Sequence, residues 1–119
     1  MKFPLPKLLL LAEGLTVLLA MGFIYHLMGN SWGRFVALFF VPDISMLAYV
    51  FGKKTGAASY NALHTYTAPL LLGFIGYFTA TTSLDSLALI WAAHIGFDRL
   101  LGYGLKYDTG FKDTHLGRV

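Results

Sequence analysis

The chain has 119 residues, 56% of them hydrophobic and 13% charged, with a formal net charge of +3 and a pI near 9.3. A soluble domain of this size carries about a quarter charged residues, so the composition excludes an ordinary water-facing protein and points to membrane as the solvent. The basic residues stand at the ends of apolar runs rather than in one patch, which argues against nucleic acid as a partner, and the lack of cysteine excludes disulfides, thiolate zinc sites and cysteine nucleophiles.

A helix needs about 20 mostly apolar residues to cross roughly 30 Å of hydrocarbon. Four such stretches divide the chain, at about 4–28, 34–51, 57–80 and 84–105, followed by a short polar tail over 106–119. The first is too long for a signal-peptide core and lacks a small-residue cleavage site before a polar region, so it is expected to be a retained span. Gly29-Asn30-Ser31-Trp32-Gly33 makes the first turn, with Trp32 suited to the lipid boundary. In the second stretch Pro42 removes a backbone donor and is expected to kink or break the helix beside Asp43. Gly52-Lys53-Lys54-Thr55-Gly56 makes the second break, and Pro69 reads as a kink within the third span. The third break runs over 79–86, where Ser83 is the expected cap of a helix whose first turn holds Asp85. Gly73, Gly76, Gly96, Gly102 and Gly104 are expected to permit close helix packing.

Lys2, Lys7, Lys53, Lys54, Lys106, Lys112 and Arg118 fall on one side of a four-span arrangement and Arg34 alone on the other, with Arg99 inside the last span. Loops rich in Lys and Arg stay cytoplasmic. The expected fold is therefore all-α, a four-helix transmembrane bundle in which residues 1–119 form one multi-pass domain of the cell membrane with both termini cytoplasmic.

Ionisable side chains inside hydrocarbon cost at least a few kcal/mol each and persist where they face a bundle interior, pair together or hold an ion. Asp43, His64, His94 and Asp98 lie inside the spans; at about 1.5 Å of rise per residue they and Glu13 share a layer roughly 10–16 Å from the cytoplasmic end. His94 and Asp98, four apart, lie on one helix face, which suits a shared cation or a carboxylate that fixes the imidazole tautomer. Two histidines and two carboxylates fit Zn, Mn or Fe, so Asp43, His64, His94 and Asp98 are the expected metal ligands. Asp98 and Glu13 are the candidate acid/base groups, Glu13 alternatively pairing with Arg99 alone. Asp43 alternatively caps a half-helix beginning at Pro42, and His64 with Asn61 alternatively forms a structural polar network. Tyr60, Asn61, Arg99 and Tyr103 are the candidate substrate-binding residues. His26 and His115 are expected to be solvated.

The runs Phe40-Val41-Pro42-Asp43-Ile44-Ser45, Tyr60-Asn61 with His64-Thr65-Tyr66, and Trp91-Ala92-Ala93-His94-Ile95-Gly96-Phe97-Asp98-Arg99 continuing to Tyr107 resemble a small bacterial membrane family catalogued only as a domain of unknown function. A weaker similarity is to the membrane-bound metal-dependent hydrolases, whose pattern has Pro-Asp after an apolar run, a stretch with His, Thr and Ser, and a later His-x-x-x-Asp in a helix. Asp43, His64, His94 and Asp98 occupy the matching places. The sequence departs from that pattern in its middle stretch, where Thr65 follows His64 and an earlier His-Arg pair is missing, so one ligand of the hydrolase pattern is absent.

The leading functional expectation is a metal-dependent hydrolase with a pocket open to the cytoplasmic leaflet, acting on an ester or phosphoester of a membrane lipid or other amphiphile. Two other classes compete: a small proton- or ion-linked transporter, which with four helices would work as a homo-oligomer, and a non-catalytic scaffold whose polar layer specifies helix pairing. The outer halves of the spans carry mainly Phe, Leu, Ala and Thr, which favours a closed pocket over a through-path.

Overall fold

The computed structural model describes residues 4–119, so Lys2 of the charge count lies outside the described residues. The helices are α1 (Leu5–Leu27), α2 (Trp32–Leu38), a 3-10 segment (Val41–Phe51), α3 (Lys53–His64), α4 (Thr67–Phe78), α5 (Thr82–Leu100) and α6 (His115–Arg118). Among the described residues the one β feature is an isolated antiparallel bridge between Lys106 and Thr114.

Two stretches, Leu5–Leu27 and Trp32–Phe51, are long and apolar enough to cross a membrane by length and composition, where four were expected. Only 11% of the apolar window of the first and 17% of the second are buried, so Leu19, Phe23, Val36 and Leu47 face outward. A core helix of a soluble protein would hide such side chains, whereas hydrocarbon asks for no cover.

Pro42 acts as its chemistry requires. The α-helical ladder stops at Leu38, and the chain tightens into a 3-10 segment whose first turn bonds the Asp43 N–H to the Phe40 carbonyl at 3.0 Å. The 57–80 stretch is not one span: Thr65 is extended (φ −97°, ψ 144°) and separates α3 from α4. α3 begins at Lys53, inside the expected 52–56 break, of which Gly52 alone stays outside a helix; α3 and α4 have 12 residues each, about 18 Å of α-helical rise, and neither crosses a bilayer alone. Pro69 therefore falls in the first turn of α4, where its missing N–H has no helical partner to lose, and it kinks nothing. In α5 the N-cap is an extended Thr81, so Ser83 sits inside the first turn rather than capping it. The helix closes in a Schellman turn at Gly102 (φ +90°), whose N–H meets the Arg99 carbonyl at 3.0 Å while the Tyr103 N–H meets that of Asp98 at 2.8 Å.

α5 is the central helix, with Ala88, Ile90, Ala93 and Ile95 buried; α1 and α4 pack on it, and α3 packs on the 3-10 segment. It carries Asp85, Asp98 and Arg99 and is sheathed by protein, which is why it lacks the charge-free character of a lipid-facing span. α1 and α5 run antiparallel and touch backbone to backbone: a Cβ on Gly96 would stand 2.7 Å from the Gly14 carbonyl, and one on Gly14 would stand 2.7 Å from the Gly96 carbonyl. Gly76 makes room for the Asp85 carboxylate, but Gly102 and Gly104 serve the turn and the tail instead of helix packing.

The two ends of the molecule are distinct. Arg34 reaches the Ser83 carbonyl at 3.4 Å, which joins the 28–34 and 79–83 turns at one end. At the other end the Tyr49 ring lies 5.3 Å from that of Phe111, and Asn61 brackets the backbone of Lys106.

Candidate metal centre

Each ligand is delivered by an element whose local irregularity has a sequence cause. Asp43 projects from the first turn of the 3-10 segment behind Pro42, His64 is the last residue of α3 before the extended Thr65, and His94 and Asp98 stand one turn apart on the buried face of α5. The four side chains converge, and one ligand atom from each lies within 4.8 Å of all the others.

The inner geometry is tighter still. His64 Nε2 and His94 Nε2 are 3.2 Å apart, and each is 3.1 Å from Asp43 Oδ1 and 3.4 Å from Asp98 Oδ2. Ligand atoms about 2.0–2.1 Å from a tetrahedral ion stand roughly 3.3–3.4 Å from one another. The five contacts that involve an imidazole thus match the edges of a zinc tetrahedron to within a few tenths of an ångström. Capping is not the role of Asp43, because its carboxylate points at the histidines.

Hydrogen bonding fixes the tautomer of one ligand. His64 Nδ1 lies 2.8 Å from the Tyr60 carbonyl, which only accepts, so Nδ1 carries the proton and a neutral His64 turns an Nε2 lone pair inward. That lone pair faces two carboxylate oxygens and a second imidazole nitrogen. Such a cluster of donors to a cation needs a cation, or shared protons, at its middle. His94 Nδ1 is buried without a hydrogen-bond partner among the described residues, and Asp98 faces the other ring nitrogen, Nε2.

The surroundings hold the set in place. Tyr60 stacks on His64 with centroids 3.7 Å apart and planes 7° apart, and donates its hydroxyl to Asp98 Oδ2 at 3.2 Å. Phe39 and Phe40 meet the His94 ring edge-on at 5.3 and 5.9 Å, and Phe97 meets Phe39 at 5.4 Å. Both histidines are fully buried, whereas the Asp43 side chain keeps 25% exposure and forms the open flank.

The remaining expected site residues go elsewhere. Glu13 is exposed on α1 and makes no ion pair with Arg99. The buried Arg99 donates to the carbonyls of His64 at 2.8 Å and Tyr103 at 3.3 Å and lies 5.8 Å from the Tyr66 ring centre, so it braces the α3–α4 break rather than neutralising a carboxylate. Asn61 spends its amide on the Lys106 backbone, and the Tyr103 side chain is exposed. His115, expected in solvent, is half-buried and accepts from the Leu105 N–H at 2.8 Å. Sequence reasoning missed the aromatic wall of Phe39, Phe40 and Phe97, whose signal is its adjacency to Pro42-Asp43 and His94–Asp98, and it missed Lys106.

Residues 7–119 match the family described as a domain of unknown function, DUF4260. The chain belongs to that family. Membership covers nearly the whole chain and carries no activity with it, and no curated protein or solved structure matches. For this DUF4260 member the chemistry therefore rests on the Asp43–His64–His94–Asp98 geometry.

Proposed function

We propose that this protein is an integral membrane protein whose Asp43, His64, His94 and Asp98 hold one divalent metal ion, zinc being the best match in size. The observation that carries the reading is the set of 3.1–3.4 Å contacts among the four ligand groups, with the His64 lone pair turned inward by the Tyr60 carbonyl. Four passes agree with the antiparallel course of α1 and α5 and with the sharing of ends described above, α3 and α4 together making one broken crossing. Broken backbone at membrane depth is tolerated where it is buried in protein or lines a site, and both breaks, before Asp43 and after His64, adjoin the ligands. The three clusters of basic residues, at Lys7, at Lys53-Lys54 and in the tail, then face the cytoplasm together.

Within that reading the activity is hydrolysis of a lipid ester or phosphoester. Zinc in such a site lowers the pKa of a bound water and polarises a substrate oxygen. Asp43 is the most exposed of the four groups, so water and substrate would reach a bound ion along its flank, while Tyr60 steadies Asp98. An apolar cleft of about 280 Å³, lined by Leu38, Val41, Pro42, Leu63, Ile90 and Trp91, runs beside the residues next to Asp43 and His64 and suits part of an acyl chain. Glu13 is exposed on α1 and is not among the clustered groups, so this reading gives it no part as acid or base.

Elemental analysis of protein purified without added metal tests the reading. One equivalent of Zn, Mn or Fe per chain is expected, falling below a tenth in His94→Ala. Metal-free protein whose thermal stability ignores both chelator and added zinc overturns it. Ester and phosphodiester probes with long and short acyl chains then test the activity, with turnover expected to vanish in Asp43→Asn and Asp98→Asn.

A further inference from the structure

The short polar tail is a packed hairpin laid against the side of α3 that carries Tyr60 and Asn61. Tyr107 N–H bonds to the Asp113 carbonyl at 2.8 Å and His115 N–H to that of Leu105 at 2.9 Å, and Leu116 is fully buried beneath the turn. Asn61 pins the hairpin as a neighbouring strand would: its amide donates to the Lys106 carbonyl at 2.7 Å and accepts the Lys106 N–H at 2.6 Å.

The pinned residue enters a four-member stack. The Lys106 ammonium lies 3.7 Å from the centre of the Phe111 ring and 4.4 Å from that of Tyr60, and donates to the Phe111 carbonyl at 2.8 Å. His64 occupies the other face of Tyr60. The order is therefore Phe111, Lys106, Tyr60, His64, and the last of these is a ligand. Lys106 is 5% exposed and has no carboxylate within ion-pair distance among the described residues, an expensive way to place an ammonium unless the two aromatic faces attract it.

We propose that the hairpin over residues 105–116 is the retaining clamp of the metal centre. Lys106 presses Tyr60 onto His64 and keeps its hydroxyl on Asp98, so two of the four ligands are steadied from the aqueous side, and undocking of the hairpin sets the rate at which the ion leaves. Lys106 and Tyr60 are positioning residues here, acting through His64 and Asp98. The inference rests on the metal reading above.

The test is the rate at which zinc passes from the full-length, detergent-solubilised protein, loaded to one equivalent, into excess chelator. Groups supporting metal ligands typically change affinity roughly 10–100-fold when removed, so Lys106→Met and Asn61→Ala are expected to release zinc at least about 10-fold faster than the parent, and Lys106→Arg within about threefold of it. Phe111→Ala, which removes the outer ring without touching α3, is expected to accelerate release as well and stands in if Asn61→Ala does not fold. Release from Lys106→Met and Phe111→Ala at the parent rate overturns the clamp while leaving the metal reading intact; equal rates for Lys106→Arg and Lys106→Met overturn the part assigned to the cation. A parent protein that takes up no zinc defeats both proposals at the first step, before any variant is compared.

Discussion

His64 Nε2 and His94 Nε2 meet at 3.2 Å, head to head, with Asp43 Oδ1 3.1 Å from each. Two neutral imidazoles can share one hydrogen bond in that position, but the two carboxylates add further lone pairs, and the proposed divalent cation would satisfy all of them at once.

Removing that cation should therefore loosen the fold. Its ligands tie together the 3-10 segment, α3 and α5, which no disulfide joins. An ion present at about 1,000 times its Kd stabilises the folded state by about 4 kcal/mol. Chelation is expected to lower the melting temperature by about 10 °C or more, and zinc to restore it, as followed by scanning calorimetry or tryptophan fluorescence. Unchanged melting after complete removal of metal would contradict the linkage.

Arg99 bridges the end of α3 to the end of α5 by donating to the His64 and Tyr103 carbonyls. Arg99→Met keeps the length of the stem and loses the fork. Each hydrogen bond from a charged group contributes about 1.5–3 kcal/mol, so loss of the two is expected to cost roughly 3–6 kcal/mol, with metal content falling as His64 loses its brace. Arg99→Lys is expected to recover little, because an ammonium lacks the planar fork. Denaturation in mixed micelles and metal analysis read both effects.

The α1–α5 crossing should tolerate no side chain at Gly96. An added Cβ would stand 2.7 Å from the Gly14 carbonyl and 2.9 Å from the Leu18 backbone nitrogen. Overpacking of this kind costs about 1–3 kcal/mol, and the displacement falls between His94 and Asp98 on the same helix. Gly96→Ala is expected to destabilise by that amount and to reduce metal occupancy, whereas Gly73→Ala, where a Cβ meets Ala88 at an ordinary 3.6 Å, is expected to leave both nearly unchanged.

Acid should release the tail from its Asp113–Arg118 pairing. Arg118 donates to both oxygens of Asp113 at 2.8 and 2.7 Å, and Thr109 donates to the same carboxylate. The Arg118 bonds, then that of Thr109, hold the Asp113 carboxyl down at about 2 against an ordinary 3.8. A depressed carboxyl contributes stability that is complete above its unfolded value and lost as pH falls through its folded one. Tail protection, read by amide hydrogen exchange at Tyr107 and Arg118, is thus expected to hold from neutrality to about pH 4 and to fall between about pH 4 and 2. Asp113→Asn should show no such step.

Four passes with both ends inside make a further testable statement. The chain has no cysteine, so single introduced thiols report cleanly. Lys54→Cys and Asp108→Cys are expected to react with an impermeant maleimide only from the cytoplasmic side, and Asn30→Cys only from the other. Labelling of positions 54 and 108 from opposite sides would rule out this arrangement.

Composition and residue chemistry were enough for the helical class, the apolar character of α1 and of Trp32–Phe51, the break at Pro42 and the four converging ligands, because each follows from local rules: hydropathy over about 20 residues, a missing proline N–H, and the cost of ionisable groups in hydrocarbon. The split of the third stretch at Thr65 did not announce itself, since no proline or glycine marks it and the extended turn is held from afar by Arg99. Likewise nothing local distinguishes Asn61 as a hairpin pin or Lys106 as a member of the His64 stack, and Glu13 shares the expected depth yet points outward. Depth along a helix can be counted from residue number, but which way a side chain faces, and which distant segment comes to meet it, depends on contacts between residues far apart in the chain, 45 positions for Asn61 and Lys106. Those contacts exist only once the helices have packed.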